Sequence, residues 1–148
     1  MIDEKYLKNL IKEIIIEQIN LNKNNFEKKV DQSGIMVVKS ETVKCDPFDT
    51  GKKGDKVFLK DIFTIEESPR IGCGVMEMYK TDFEWTLCYD EIDVIVDGTL
   101  EIVIDGRRVV GHKGDIIFIP MGSQITFSCP DYVRFIYITY PADWKNTK

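Results

Sequence analysis

Residues 85–93 read Trp-Thr-Leu-Cys-Tyr-Asp-Glu-Ile-Asp. In an extended strand alternate side chains share a face, so Trp85, Leu87, Tyr89, Glu91 and Asp93 fall on one side and Asp90 on the other. Two carboxylates two strand positions apart repel each other, and if their side is interior they also lose hydration. Both effects push a carboxyl pKa upward. Such a pair needs a proton, a counter-charge, a metal or a cationic ligand. Two side chains later and earlier in the chain can supply positive charge: Arg134 in the last apolar run and Lys80 at the end of a middle one. Three chemistries follow. Glu91 and Asp93 can hold Mg²⁺, a hard ion that takes oxygen ligands and bridges phosphates. With Arg134 as cation and Tyr89 beside them, they would then supply the parts of a phosphoryl-transfer site, with Trp85, Tyr137 and Lys80 binding substrate. Alternatively, the carboxylates and aromatic rings can bind an organic cation, by salt bridge and cation–π contact. The structural alternative ties Glu91 and Asp93 to Arg134, Tyr137 or backbone N–H groups, where they only shape the fold.

Other chemistry is excluded by composition. The chain of 148 residues has a single histidine, His112, so any site that needs two or three imidazoles is ruled out. His112 lies in the turn Gly111-His-Lys-Gly114 and is expected at the surface. Cys45, Cys73, Cys88 and Cys129 form no Cys-x-x-Cys pair and read as reduced thiols of a cytoplasmic protein. A net charge of -5 leaves no basic excess for a nucleic-acid partner. No apolar run is long enough to span a membrane. The loop Gly51-Lys-Lys-Gly54 is too short for a nucleotide-binding glycine loop, though Lys52 or Lys53 could touch a phosphate.

The elements that position these residues are strands. There are 20 Ile and 12 Val against 6 Leu and one Ala, Ala142, and β-branched side chains favour pleated surfaces. The spacing predicts strands over Met36–Lys39, Val57–Thr64, Cys73–Lys80, Glu91–Val96, Leu100–Ile104, Arg107–Gly111, Ile116–Ile119, Gln124–Phe127 and Val133–Tyr140. Asp97-Gly98, Asp105-Gly106, Lys113-Gly114-Asp115 and Met121-Gly122-Ser123 lie between them as turns, and Asp46–Asp55 is a polar loop. Asp105-Gly106 between two apolar runs is a two-residue hairpin signal. Many short strands without helices between them mean a sandwich or barrel.

Residues 2–22 differ. Leu7, Leu10, Ile11, Ile14, Ile15 and Ile19 recur at helical spacing, with Ile16 widening the stripe and Lys5, Lys8, Lys12, Glu13 and Glu17 opposite. Asp3 is the expected N-cap, and Asn20, Asn22, Asn24 and Asn25 end the helix. The stripe would dock on the main domain, on a second subunit or in a groove of another protein. Residues 1–30 are therefore read as helix and linker, and 31–148 as the β domain.

Two segments of the β domain resemble a known family. Glu91 is followed by Gly98 at a turn, and Gly114-Asp-Ile-Ile-Phe-Ile-Pro120-Met-Gly122 reads Gly, five residues, Pro, one residue, Gly. The pair resembles the two motifs of the cupins, small jelly-roll β-barrels. Where the cupin motifs carry metal-binding histidines, this chain has Trp85, Leu87 and Ile125, and only Glu91 of the ligand set remains. The resemblance therefore implies that no transition metal binds tightly. Phe83–Asp93, Phe118–Ser123, Arg134–Tyr137 and Pro141-Ala-Asp-Trp144 further resemble the EutQ family of ethanolamine-utilisation proteins. That resemblance implies an all-β cupin barrel with an N-terminal amphipathic α-helix, acting at a bacterial microcompartment. It also implies acetate-kinase activity, with acetyl phosphate, ADP, ATP and Mg²⁺ as reactants. The alternative is a non-catalytic assembly or small-molecule-binding module that docks on shell or core proteins through residues 2–22. A homodimer is expected, since cupins commonly pair their sheets. Trp144, after Pro141, is expected to cap the barrel end or a neighbouring subunit.

Overall fold

The computed structural model describes residues 1–145, and the side chains of these except residues 17 and 20–24. The chain forms two compact units, one of residues 1–44 and one from Cys45 onward. The first unit extends past the boundary expected between 30 and 31, because it also holds a short hairpin.

In that unit, helix α1 spans Glu4–Asn24. Asp3 caps it as expected: the Lys5 N–H donates to Asp3 Oδ1 (3.1 Å), and the first helical bond runs from the Leu7 N–H to the Asp3 carbonyl (3.0 Å). Asn25 follows in the left-handed region at φ 57, which Asn tolerates better than most residues and which stops the helix. The side chains of Glu17, Asn20, Asn22 and Asn24 lie outside the described set. Strands β1 (Lys28–Val30) and β2 (Met36–Val38) pair antiparallel. The apolar stripe of α1 remains exposed, from Leu10 at 38% to Ile19 at 57%.

The second unit is one antiparallel sheet of seven strands that carries the jelly-roll fold. They are β3 (Asp46–Pro47), β4 (Val57–Asp61), β5 (Gly72–Thr86), β6 (Asp90–Ile104), β7 (Arg107–His112), β8 (Ile116–Ile119) and β9 (Gln124–Tyr140). The order is β3-β4-β5-β9-β6-β7, with β8 also on β6. The sheet curls without closing edge to edge. Three strands of 15 to 17 residues make this possible. Two of them run through the breaks expected at Asp97-Gly98 and near Pro130. The chain stays in the ladder and bends at register shifts between Ile95 and Asp97, between Gly98 and Glu101, and between Tyr79 and Thr81. An extra residue at such a bulge turns the strand without ending its pairing.

The expected hairpin at Asp105-Gly106 is present. Both residues have positive φ, 49 and 74, which matches the right-handed twist of the flanking strands. His112 is exposed at the end of β7, with Nδ1 3.2 Å from the Thr99 hydroxyl. The core lies inside the curl, where Phe135, Met78, Leu87, Ile95, Leu100 and Val133 are fully buried. Among the described residues no helix is long and apolar enough to cross a membrane.

Candidate functional site: a buried acid pair under an aromatic lid

Strand β6 turns Glu91 and Asp93 inward, as alternation requires, and they are 5% and 0% exposed. Asp90 faces out, where its Oδ1 accepts the Met121 N–H (2.8 Å). Glu91 pairs across the ladder with Thr139 and Ile119, and Asp93 with Tyr137 and Ile117. Neither oxygen of Asp93, nor the Thr139 hydroxyl, has a well-formed hydrogen bond. Burial pushes the Asp93 carboxyl well above the usual carboxylate range, and the adjacent Glu91 charge pushes it further. Burial also raises Glu91, and contacts with Asp93 and Tyr89 offset part of that rise. Both carboxyls therefore keep their protons to higher pH than free carboxyls do, which lowers their need for a counter-ion.

A small cavity of about 20 Å³ opens beside Glu91, lined also by Phe48, Trp85, Tyr89, Tyr137 and Trp144 among others. That is room for about one water molecule. The Trp85 Nε1–H donates to the Tyr89 hydroxyl (2.7 Å), which fixes both rings in the wall. Burial raises the Tyr89 phenol first, and the neighbouring Glu91 raises it again. Opposite, the Tyr137 hydroxyl donates to Asp61 Oδ1 (2.7 Å). Gly74 makes this possible, because a side chain there would collide with the Tyr137 hydroxyl.

Trp144 closes the cavity. Its ring centroid lies 5.9 to 6.3 Å from those of Phe48, Trp85, Tyr89 and Tyr137, in tilted or edge-on contact. These are the separations at which aromatic pairs attract. Its Nε1–H donates to Asp61 Oδ1 (3.2 Å), and Lys145 Nζ donates to Asp61 Oδ2 (3.0 Å). Trp144 thus caps the end of the curl within its own chain.

The structure gathers Tyr89, Glu91, Asp93, Trp85 and Tyr137, and it places the two expected cations elsewhere. The Arg134 guanidinium donates to Glu77, its ladder partner on the outer face. Lys80 is exposed at the β5 bulge. Three residues were missed. Asp61 was legible, because it continues the inward alternation of Val57 and Leu59. Phe48 and Lys145 carried no local signal.

None of the three positions expected for imidazoles offers a ligand: Leu87 and Ile125 are buried hydrocarbon, and the indole N–H of Trp85 is only a donor, spent on Tyr89. Mg²⁺ requires six oxygens at about 2.0–2.1 Å and keeps several waters. Glu91 and Asp93 beside a one-water cavity do not fit it. Dialysis against Zn²⁺, Fe²⁺, Mn²⁺ or Mg²⁺ followed by elemental analysis is expected to leave less than stoichiometric metal; one tightly held ion per chain would contradict this. The four cysteines are free thiols. Burial pushes Cys45 up to about 12 and Cys73 up to about 11, so neither supplies a ready thiolate.

The model of the family described as "Ethanolamine utilisation protein EutQ" matches residues 2–146. The chain belongs to the EutQ family. It is 55% identical to a Clostridioides difficile protein named "Acetate kinase EutQ", over 98% of this chain and 96% of that one. It is 35% identical to a Salmonella typhimurium protein of the same name, over 82% of this chain but only 53% of that protein's length. Of solved structures, the Clostridium difficile EutQ protein superposes with a TM-score of 0.81 at 57% identity, over 83% of this chain and 92% of that one. The cupin domain of Schizosaccharomyces pombe Cnp3 matches at 0.57 with 16% identity, covering 76% and 80%, and so shares the fold alone. The chain is thus an ethanolamine-utilisation cupin that has kept the motif Glu91 and lost the imidazoles.

Proposed function

We propose that this EutQ protein exchanges a phosphoryl group between acetyl phosphate and ADP. The observation that carries the reading is the 55% identity with a protein named acetate kinase across nearly the whole of both chains. The cavity agrees with it chemically. An apolar, aromatic lining beside a buried carboxyl suits an acetyl group and not a triphosphate, once the cavity widens beyond its closed volume of about 20 Å³. Protonated Glu91 donates its O–H to the acetyl oxygen, Tyr89 and Trp85 hold the methyl end, and Tyr137 lines the opposite wall. Burial is what favours the protonated form of Glu91. ADP and its Mg²⁺, a part of the nucleotide substrate, stay outside.

Purified protein with acetyl phosphate, ADP and Mg²⁺ is expected to form ATP. Glu91→Leu removes the donor and should slow that reaction about 100-fold, the scale of losing one well-placed hydrogen bond in a transition state. Its melting temperature should hold or rise, since hydrocarbon replaces a buried acid. No ATP from the wild type, or an unchanged rate in the variant, would count against the assignment.

The exposed apolar surfaces favour an additional role in assembly. Ile92 and Phe118, Val94 and Ile116, and Ile92 and Ile138 are ladder partners on the outer face of β6, β8 and β9, and Phe118 and Ile116 are 61% and 69% exposed. This face is our candidate for homodimer pairing, and the exposed α1 stripe for docking on microcompartment shell or core proteins in the cytoplasm. Phe118→Glu is expected to halve the mass seen by sedimentation; an unchanged mass would remove this face from consideration.

A further inference from the structure

We propose that Lys145 is the cation that meets the phosphoryl group of acetyl phosphate, delivered when Trp144 lifts from the cavity. The inference rests on the phosphoryl-exchange reading above. That chemistry needs positive charge on the transferring group, and neither Arg134 nor Lys80 faces the cavity. Lys145 is tied to the cavity wall instead. Its ammonium sits on Asp61 Oδ2, while Tyr137 and Trp144, both cavity-lining, share Oδ1 of the same carboxylate. When Trp144 lifts, its own bond to Asp61 breaks together with that of Lys145, while the Tyr137 bond to Oδ1 can remain. The Lys145 ion pair is half-exposed, at 51% for Lys145 and 37% for Asp61, so little holds it shut.

Movement is required in any case. A cavity of about 20 Å³ does not admit an acetyl group. Trp144 stands over it on the turn that follows β9, and Lys145 is the next residue, with Nζ 5.1 Å from the indole centroid. Displacing the ring carries the ammonium along the rim. With the acetyl end inside, the phosphoryl group lies at that rim. The acetyl O–P bond then breaks, a P–O bond forms to the terminal oxygen of ADP, and acetate leaves with the electron pair. Lys145 takes part by charge alone and keeps its protons.

The test compares wild type, Lys145→Met and Lys145→Arg in ATP formation, and measures acetyl phosphate binding by calorimetry without ADP. Lys145→Met is expected to lower kcat/KM for acetyl phosphate and to weaken its binding, each by at least about tenfold, whereas Lys145→Arg should restore most of both. The melting temperature should move little. If the wild type forms ATP and Lys145→Met matches it, this inference fails and the phosphoryl-exchange reading stands. If the wild type binds acetyl phosphate through Lys145 but forms no ATP, the exchange reading fails and the site remains. Absence of both ATP and acetyl phosphate binding overturns both.

Discussion

Gly98→Ala is expected to leave the second unit unable to reach its native fold. Gly98 has φ +77, a conformation that costs an L side chain about 1–2 kcal/mol by itself. Space adds far more. An added methyl would fall on the Tyr132 carbonyl oxygen, with the Tyr132 carbonyl carbon 2.7 Å and Val133 Cα 2.9 Å away. All three are backbone atoms of β9, held by the ladder on both sides. Gly98 also sits between the two register shifts that bend β6, so relief there would unpair the strand that carries Glu91 and Asp93. A loss above about 4 kcal/mol is exceptional for one substitution and is a large part of the roughly 5–15 kcal/mol that holds a domain. Gly122 separates the two causes. It too has positive φ, +89, but nothing lies within 4 Å of its absent methyl. Gly122→Ala should cost only about 1–2 kcal/mol. Urea unfolding of the two variants checks this; similar losses would show that backbone conformation, not the close approach of β6 to β9, is what Gly98 serves.

Asp93→Asn is expected to stabilise the protein at alkaline pH and to flatten its pH dependence. The folded pair keeps its protons to higher pH than the same carboxyls in the unfolded chain, because both pKa values are raised. Wherever the folded state binds more protons, stability falls as pH rises. The contribution is therefore fully present below the ordinary carboxylate range, near about 4, and is lost as pH climbs toward the raised values. Asparagine resembles protonated Asp93 in shape and hydrogen-bonding capacity and has no proton to lose. At pH 8 the variant should be the more stable of the two, because it has no charge to bury as pH rises. At pH 5 the two proteins should be close. Denaturation midpoints across that range decide it, and a variant equally weakened at every pH would show that Asp93 is stabilising as a charge.

Much of the site could be read from spacing. Alternation placed Trp85, Tyr89, Glu91 and Asp93 on one face, and all four are at or next to the cavity. The same rule, applied to β9, separates Arg134 from Tyr137, since residues three apart on a strand face opposite sides. Arg134 could have been set aside on that ground, and Asp61 gained by following Val57 and Leu59 inward. The undivided lengths of β6 and β9 were less legible. A bulge and a turn draw on the same residues, Asp and Gly, so Asp97-Gly98 resembled an end where the strand only bends.

What the sequence determined by itself is local: the capped amphipathic helix, the hairpin at Asp105-Gly106, the inward acids and the replacement of the imidazole positions by Trp85, Leu87 and Ile125. Each depends on periodicity or dihedral preference over a few residues. Tertiary structure decided what meets what. Asp61 and Lys145 are 84 positions apart. They meet because β9 lies beside β5, β5 beside β4, and the turn after β9 folds back over the open end of the curl. The size of the cavity, its closure by Trp144 and the pairing of Lys145 with Asp61 follow from that register. No short-range preference encodes them, because the energy that selects them comes from packing distant strands together.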